Sequence, residues 1–400
     1  MTASSIVVAV LLASQPPPPT EGPLIIRATE NIRATENWDN AQSVAISADG
    51  TYVAAGFGGP FKRRFPQNPN GGGVFVWERE TGKFVFARGE FGDVIKLGFS
   101  RDGRYLAYSR VYTPGDSIEA NNTVLVDLTT GEVVKRWGGS RVSFAFSPTE
   151  DLMVVSGSGT TVFDLKTLKV RRTVKVPGAW AYAFSADGKT VAALCYYWTK
   201  RKGIPTGLAF FSPEREKPRF ILNDESIRSA MAIAISPSGR QIVTGHVDGV
   251  AKIWSTEKPK ANRRLRIDTR LAVYPFFCDQ GNTLVLAAQP ANGRSWVYDR
   301  STPSGFKFST NGTVSSCDLY RFDFATLKQT AHWLFEDASF RTFYARFGKS
   351  RNHPEYNPTR FALSSDEKIL VAGCNGGCIV DWMSGKQIRT FVRGQSTVGR

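Results

Sequence analysis

The feature that most constrains the fold is a segment that recurs along the chain. Its clearest copy spans residues 231–258, MAIAISPSGRQIVTGHVDGVAKIWSTEK. Residues 232–235, 241–245 and 250–254 predict three short strands, and the Ser-Pro-Ser-Gly and Asp-Gly sequences between them predict tight turns. The first strand is apolar on both faces, as a fully buried strand should be. Because one such unit cannot bury its own faces, it needs neighbours.

The neighbours are further copies of the same unit. Two apolar positions followed by a Ser-x-Asp-Gly turn, or a variant of it, return along the chain. The serine or its equivalent is Ser47, Ser100, Ser147, Ser185, Ser236, Cys278 or Ser364. A strand–turn–strand half follows each copy, for example at 74–87, 123–137 and 161–174. The 86-residue gap between the last two copies therefore predicts one unit with a long insertion. A period of roughly 40–45 residues with four strands is typical of a propeller blade.

On these repeats the chain resembles a WD40-type β-propeller over about residues 38–395. The resemblance is strongest in the fifth unit, GHVDGVAKIWS. There Thr244, Asp248 and Trp254 match three places of the hydrogen-bonded set that such blades carry. Blades of this type also carry a Trp-Asp pair, and other units of this chain keep only its aspartate. These acids are Asp127, Asp164, Asp323 and Asp381.

The repeats predict an all-β fold, a seven-bladed β-propeller of four-stranded antiparallel blades, in a single domain over residues 38–395. The phenylalanines just before the turns, Phe99, Phe146 and Phe184, are expected to be buried between blades. No 18-residue apolar run occurs, so the sequence predicts no ordinary membrane helix.

Residues 1–37 differ from the rest. Residues 6–13 are apolar and are followed by four prolines at 16–19, which favours a signal peptide and export to the periplasm or the outside of the cell. No base precedes the apolar run, so a cytoplasmic protein with an irregular start is the alternative. Residues 26–37 repeat Ile-Arg-Ala-Thr-Glu-Asn twice, which suits a linker. The alternative is that residues 24–28 add a strand to the last blade.

The long connections are expected on one face of the propeller, because connections between second and third strands and between blades share that face. They are residues 59–72, 109–122, 196–206, 289–316 and 336–360. These segments hold +9 of the chain's net charge of +16, so the face should attract anions.

Bases and aromatic residues accompany each other in these connections, which suits stacking combined with contact to an anion. The ligand-binding candidates are Lys62, Arg63, Arg64, Tyr197, Trp198, Lys200, Arg201, Lys202, Arg341, Arg346 and Arg351. A structural interpretation stays open, since loop aromatics often pin a loop to the protein body and surface bases often serve solubility.

Signs of catalysis or metal binding are scarce. The three histidines, His246, His332 and His353, form no metal or nucleophile pattern. Cys195 and Cys278 stand in apolar strands and predict core positions. Cys374 and Cys378 flank an Asn-Gly-Gly turn, so a three-residue loop would place them opposite each other as a disulfide in an exported protein, or as a reduced pair in a cytosolic one.

The sequence therefore predicts a non-enzymatic, monomeric interaction scaffold without a cofactor. It would bind a protein partner or an anionic ligand on the loop-rich basic face. Nucleic acid would also suit the charge, but no motif for it occurs. The alternative is an exported propeller enzyme, a hydrolase or lyase that acts on an anionic polysaccharide. Such an enzyme would need acids or histidines grouped at the mouth of the central channel.

Overall fold

The fold was analysed in a computed structural model of the chain. The structure describes residues 24–26, 41–57, 73–89, 93–111, 122–139, 143–157, 159–196, 206–223, 227, 229–257, 261–267, 272–289, 295–298, 306–309, 316–336, 361–372, 378–381 and 387–390. Within these ranges no helix is long and apolar enough to cross a membrane.

Within the described residues the chain forms seven sheets that each contain four antiparallel strands. After β1 (Leu24–Ile26), sheet 1 contains β2 (Ala41–Ile46), β3 (Tyr52–Phe57), β4 (Gly73–Glu78) and β5 (Phe84–Gly89). Sheet 2 contains β6 (Asp93–Phe99), β7 (Tyr105–Val111), β8 (Asn122–Asp127) and β9 (Val133–Gly138). Sheet 3 contains β10 (Phe144–Phe146), β11 (Leu152–Ser156), β12 (Thr160–Asp164) and β13 (Lys169–Val174).

The next two sheets repeat this order. Sheet 4 contains β14 (Ala179–Phe184), β15 (Val191–Tyr196), β16 (Thr206–Phe211) and β17 (Phe220–Asn223). Sheet 5 contains β18 (Ala230–Ile235), β19 (Gln241–His246), β20 (Val250–Ser255) and β21 (Ala261–Arg266). In every sheet, each strand pairs with the one that follows it within that unit of the sequence.

Sheet 6 is the irregular one, as its long gap predicts. It contains β22 (Ala272–Cys278), β23 (Thr283–Gln289), β26 (Ser316–Asp323) and β27 (Gln329–Glu336). A short 3-10 helix, Asp279–Gly281, joins β22 to β23. The insertion forms a separate hairpin of β24 (Ser295–Tyr298) and β25 (Phe306–Ser309). Sheet 7 contains β28 (Phe361–Leu363), β29 (Ile369–Ala372), β30 (Cys378–Asp381) and β31 (Gln387–Thr390).

The N-terminal segment corrects one sequence interpretation. Residues 24–26 do form a strand, but β1 pairs in parallel with β27 of sheet 6, with Leu24 opposite Trp333 and Ile26 opposite Phe335. It therefore does not extend the last sheet. A stretch that the sequence assigned to the linker thus contributes a fifth strand to the sixth unit.

The recurring turn between first and second strands is confirmed, and its residues explain why it recurs. In sheet 4, the Ser185 hydroxyl donates to Asp187 Oδ1 at 2.6 Å and accepts the backbone N–H of Thr190 at 3.0 Å. The backbone N–H of Gly188 closes the turn onto the Ser185 carbonyl, and Gly188 has a φ of +70°, which favours glycine. The same serine–aspartate bond recurs in sheets 1, 2 and 7 at Ser47, Ser100 and Ser364.

Each sheet packs its apolar face against the next, so the core of the described residues consists of clusters between sheets. Trp254 of sheet 5, for example, packs with Leu208 and Phe210 of sheet 4. The last of these clusters joins sheet 7 to sheet 1 through Val371, Val44 and Val53. The expectation for the phenylalanines holds in part, because Phe99 is buried whereas Phe146 and Phe184 are only half-buried.

Candidate functional site

The long connections leave the sheets at one end. In an antiparallel sheet, the connection from the second to the third strand and the exit from the fourth strand lie at the same end. The connections after β3, β7, β15 and β23, and the one from sheet 6 to sheet 7, all belong to these two kinds. We call this end of the sheets the loop end and the opposite end the turn end.

The residues that the sequence proposes as a binding site belong to these connections, and they lie outside the residues that the structure describes. These residues are Lys62, Arg63, Arg64, Tyr197, Trp198, Lys200, Arg201, Lys202, Arg341, Arg346 and Arg351. The structure therefore fixes the strand ends from which they depart and leaves their own positions a prediction.

The same holds for the disulfide. Cys374 lies outside the described residues, while Cys378 begins β30. In the described register Cys378 is opposite Ala372, not Cys374 as the three-residue loop would require. The bridge remains a prediction.

Charges at the turn end compensate each other. Arg101 of one turn pairs with Asp151 of the next sheet at 3.2 Å, and this contact holds the pKa of the Asp151 carboxyl below its usual value. Arg171 reaches two carboxylates, Glu150 and Glu214, each at 3.0 Å. Such half-exposed pairs contribute little stability, about 0–1 kcal/mol each.

A cavity of about 470 Å³ lies between the first strands of the sheets. Strands β6, β14, β18, β22 and β28 contribute to its lining. Most of the lining is apolar or aromatic, including Tyr274, Phe276, Phe277 and Phe361. Two side chains in the lining carry a formal charge, Lys96 and Glu367, and the Glu367 carboxylate accepts the backbone N–H of Asp279 at 2.6 Å.

Lys96 occupies a position that recurs from sheet to sheet. In sheets 1, 2, 4 and 5 the first strand has a register shift, after which Ser43, Lys96, Ala181 and Ala232 resume the pairing with the second strand. Each of these residues stands four positions before its turn serine. Of these four residues, only Lys96 of sheet 2 carries a charge.

The surroundings of Lys96 are poor in compensating groups. Its ammonium lies 3.4 Å from the Ser143 hydroxyl of sheet 3 and 5.5 Å from the centre of the Phe144 ring. No carboxylate among the described residues forms an ion pair with it. Burial lowers the pKa of the Lys96 amine to about 8, because enclosure by protein disfavours the charged form.

Sheet 5 contains a buried hydrogen-bonded chain that extends across its strands. The Trp254 indole N–H donates to Thr244 Oγ1 at 2.9 Å, and Thr244 Oγ1 lies 2.9 Å from His246 Nε2. His246 Nδ1 in turn lies 2.9 Å from the Ser229 hydroxyl. The sequence interpretation of Thr244 and Trp254 is therefore confirmed.

The other member expected in this set, Asp248, does not join it. The Oδ1 atom of Asp248 is buried and has no hydrogen-bond partner among the described residues. His246 and Ser229 take part instead, and sequence reasoning missed both. The signal for His246 was its place two residues after Thr244 on one strand, which puts both side chains on the same face.

His246 is fully buried and neutral. Burial, with a smaller effect from Lys252, lowers the pKa of its imidazole to about 3. Both ring nitrogens have a hydroxyl neighbour that can donate or accept, so the neutral ring is satisfied in either tautomer. The arrangement locks the imidazole in a structural role.

Many of the chain's bases lie on the fourth strands of the sheets, which sequence reasoning did not single out. Five of these strands, β5, β9, β13, β21 and β31, contain bases and no acid. The ten bases are Arg88, Lys135, Arg136, Lys169, Arg171, Arg172, Arg263, Arg264, Arg266 and Arg389. A second part of the positive charge thus lies on the fourth strands and not in the long connections.

The comparisons with known proteins agree with this architecture. Residues 223–255 match the family model of the WD domain, G-beta repeat, and this stretch contains the bonded chain of sheet 5. No curated protein matches the chain. The repeat match and the sheets of four antiparallel strands fit a WD40-type β-propeller. Domains of this type generally mediate protein interactions and are typically not enzymes.

Proposed function

We propose that the seven sheets close into a seven-bladed ring and that the protein is a non-enzymatic scaffold whose loop end binds a protein or an anionic partner. The observation that carries this proposal is the asymmetry of the two ends. Every long connection departs from the loop end, whereas compact, hydrogen-bonded turns occupy the turn end. Long connections on a rigid scaffold are where binding residues are usually found.

Contacts between the first and last sheets support the ring. Val371 of sheet 7 packs with Val44 and Val53 of sheet 1, and the Ser365 hydroxyl donates to the carbonyl of Ala48 across the same junction. These contacts join residues more than 300 positions apart in the chain. A closed ring needs such contacts, because the last blade must pack on the first.

The charge of the loop-end connections favours an anionic surface on the partner. Residues 59–72 and 196–206 each carry +3, and the five connections together carry +9. Clustered charge of one sign raises the association rate with an oppositely charged partner and makes binding depend on salt.

The test is a pull-down from native extract at low and at high salt, followed by the same experiment on two charge-matched variants. Replacing Lys200, Arg201 and Lys202 by serine should weaken capture of the salt-sensitive partner. A control with Lys135, Arg136 and Lys169 of the fourth strands replaced by serine loses the same charge and should retain it. Equal loss in both variants would mean that overall charge, and not the loop end, drives the binding. Capture that is indifferent to salt and to both changes would refute the proposal.

Export is the further part of the proposal, and it rests on the apolar run at residues 6–13. The protein purified without reductant from its native host should lack this segment and contain a bridge between Cys374 and Cys378. Peptide mass spectrometry reads both. An intact N-terminus with two free thiols would overturn export while leaving the scaffold unaffected.

A further inference from the structure

The cavity between the first strands has two chemically distinct parts. Aromatic side chains of sheets 6 and 7, Tyr274, Phe276, Phe277 and Phe361, provide an apolar surface. Lys96 of sheet 2 provides a positive charge in the same lining. The volume of about 470 Å³ lies within the range of small-molecule sites, about 300–1,000 Å³.

Lys96 is half-buried in this lining, and the described residues give its charge little compensation. The protein offers the ammonium one hydroxyl, Ser143 Oγ at 3.4 Å, and one aromatic ring, Phe144. The second charged side chain of the lining, Glu367, already accepts a backbone hydrogen bond from Asp279. Ser43, Ala181 and Ala232 show that the same position in other sheets is occupied by small, uncharged side chains. The charge is therefore not a requirement of the blade.

We propose that this cavity binds a small carboxylate with an apolar body, the carboxylate on the Lys96 ammonium and the body against Tyr274, Phe276 and Phe361. A carboxylate supplies the ion pair that the half-buried Lys96 ammonium lacks among the described residues. An apolar body gains from removal from water against the aromatic surface. The site is separate from the loop end, so it does not depend on the scaffold proposal.

Binding should follow the protonation of Lys96, whose pKa burial lowers to about 8. The strands packed against β6 include β2 and β10, which carry no ionisable side chain. The ionisable residues on the other two packed strands are Tyr52 of β3 and Tyr105, Tyr108 and Arg110 of β7. The remaining ionisable groups of the cavity lining are Tyr182, Tyr274 and Glu367. None of these group types ordinarily titrates between pH 7 and 9, so a change in this range reports Lys96.

The test uses 3-phenylpropionate as the probe and 3-phenylpropanol as the matched compound without charge, each titrated into the full chain by calorimetry. Lys96→Met should weaken 3-phenylpropionate binding about tenfold to a hundredfold, the range expected for loss of a charged hydrogen bond. It should leave the weaker binding of 3-phenylpropanol unchanged. For wild type, 3-phenylpropionate binding should weaken about tenfold between pH 7 and 9, as the amine loses its proton.

Two control variants locate the effect. Lys135→Met removes a lysine of the same sheet that also lies over aromatic rings, 5.6 Å from the centre of Phe163 and 6.0 Å from that of Trp137, but on the fourth strand. It should not change either affinity. Ala232→Leu narrows the cavity without touching the charge and should weaken both compounds.

A second readout does not depend on affinity. An enclosed amine with a pKa of about 8 should be acetylated at pH 8 faster than ordinary surface lysines, as mass spectrometry of Lys96 peptides would show, and bound 3-phenylpropionate should slow that reaction. Equal binding of the acid and the alcohol, binding unaffected by Lys96→Met, or no binding of the acid and no protection of Lys96 would each overturn the proposal.

Discussion

Sheet 5 and sheet 1 both carry a tryptophan at the same place on the third strand, but they surround it differently. Trp254 pairs with Ile242 in its ladder, as Trp77 pairs with Val53. In sheet 5 the indole N–H donates to Thr244, eight positions after the turn serine. The residue at that position in sheet 1 is Ala55, and Trp77 packs there within an apolar cluster.

Three further sheets have an apolar residue at this position. Val155, Ala193 and Leu286 occupy the position of Thr244 in sheets 3, 4 and 6, and each is buried. The same four-stranded sheet is therefore compatible with a polar chain or with aliphatic packing behind its third strand. The family match covers residues 223–255, the stretch that contains the polar version.

The largest expected effect of the polar chain in sheet 5 is on how the stability of the protein changes at acidic pH. Because the His246 pKa falls from 6.5 to about 3 on folding, the unfolded chain binds this proton first. The stabilisation is complete above pH 6.5 and falls progressively toward pH 3, by several kcal/mol in all. Denaturant titrations between pH 7 and 5 measure the onset of this loss, above the range in which carboxylates such as Asp187, whose pKa is lowered, begin to bind protons.

His246→Gln should flatten this acid dependence. If the variant kept the wild-type slope between pH 7 and 5, His246 would not be the group that titrates, and the polar chain of sheet 5 would have no role in acid stability.

The next contrast separates the two roles of Trp254. Trp254→Phe should lower the free energy of unfolding by about 1–2 kcal/mol more in the wild-type chain than in the Thr244→Val variant, because only in the wild type does it leave the buried Thr244 hydroxyl without its donor. Chemical denaturation of the wild type, the two single variants and the double variant gives both losses. Equal losses would show that the indole of Trp254 stabilises sheet 5 by packing alone.

Replacing the threonine of sheet 5 by valine, or the equivalent valine of sheet 3 by threonine, should destabilise the protein in both cases. Thr244→Val removes a partner from Trp254 and His246, and Val155→Thr buries a hydroxyl in an apolar cluster. Each should cost about 1–3 kcal/mol in thermal or chemical unfolding. A neutral Val155→Thr would mean that sheet 3 tolerates the polar arrangement and that the contrast between the sheets is weaker than their contacts indicate.

The smallest expected effect concerns the turns. Sheet 5 has Ser238 where sheet 4 has Asp187, and its serine–serine contact is longer, 3.1 Å against 2.6 Å. Ser238→Asp should stabilise the protein by about 0.5–1 kcal/mol, and Asp187→Ser should destabilise it by a similar amount. Melting temperatures that move in the same direction for both changes would contradict this.

The repeats made most of the fold predictable. Serines such as Ser47 and Ser185 recur with their aspartates because each turn needs the same bonds, so the sequence repeats what the geometry repeats. The place of β1 was not predictable. Leu24–Ile26 has a composition common to many strands, and no neighbouring residue indicates that it pairs with β27.

The cavity was less accessible to sequence reasoning. In the sequence, Lys96 is one of 51 lysines and arginines. Its place in the lining of a cavity follows only from the arrangement of the first strands of different sheets. In the same way, the bases of the fourth strands are distributed along the sequence and become a common feature only when the strand order is known.

The position of β1 has a consequence for association between copies of the chain. The outer side of a fourth strand is a sheet edge that can accept a strand from another molecule unless it is covered. Bases on β5, β9, β13, β21 and β31 oppose such pairing by repulsion, and β17 is only four residues long. The eight-residue β27 carries no base, and it is the strand that β1 covers. The chain thus blocks its most vulnerable edge with its own backbone, and sheet 6 is where aggregation would begin if β1 detached.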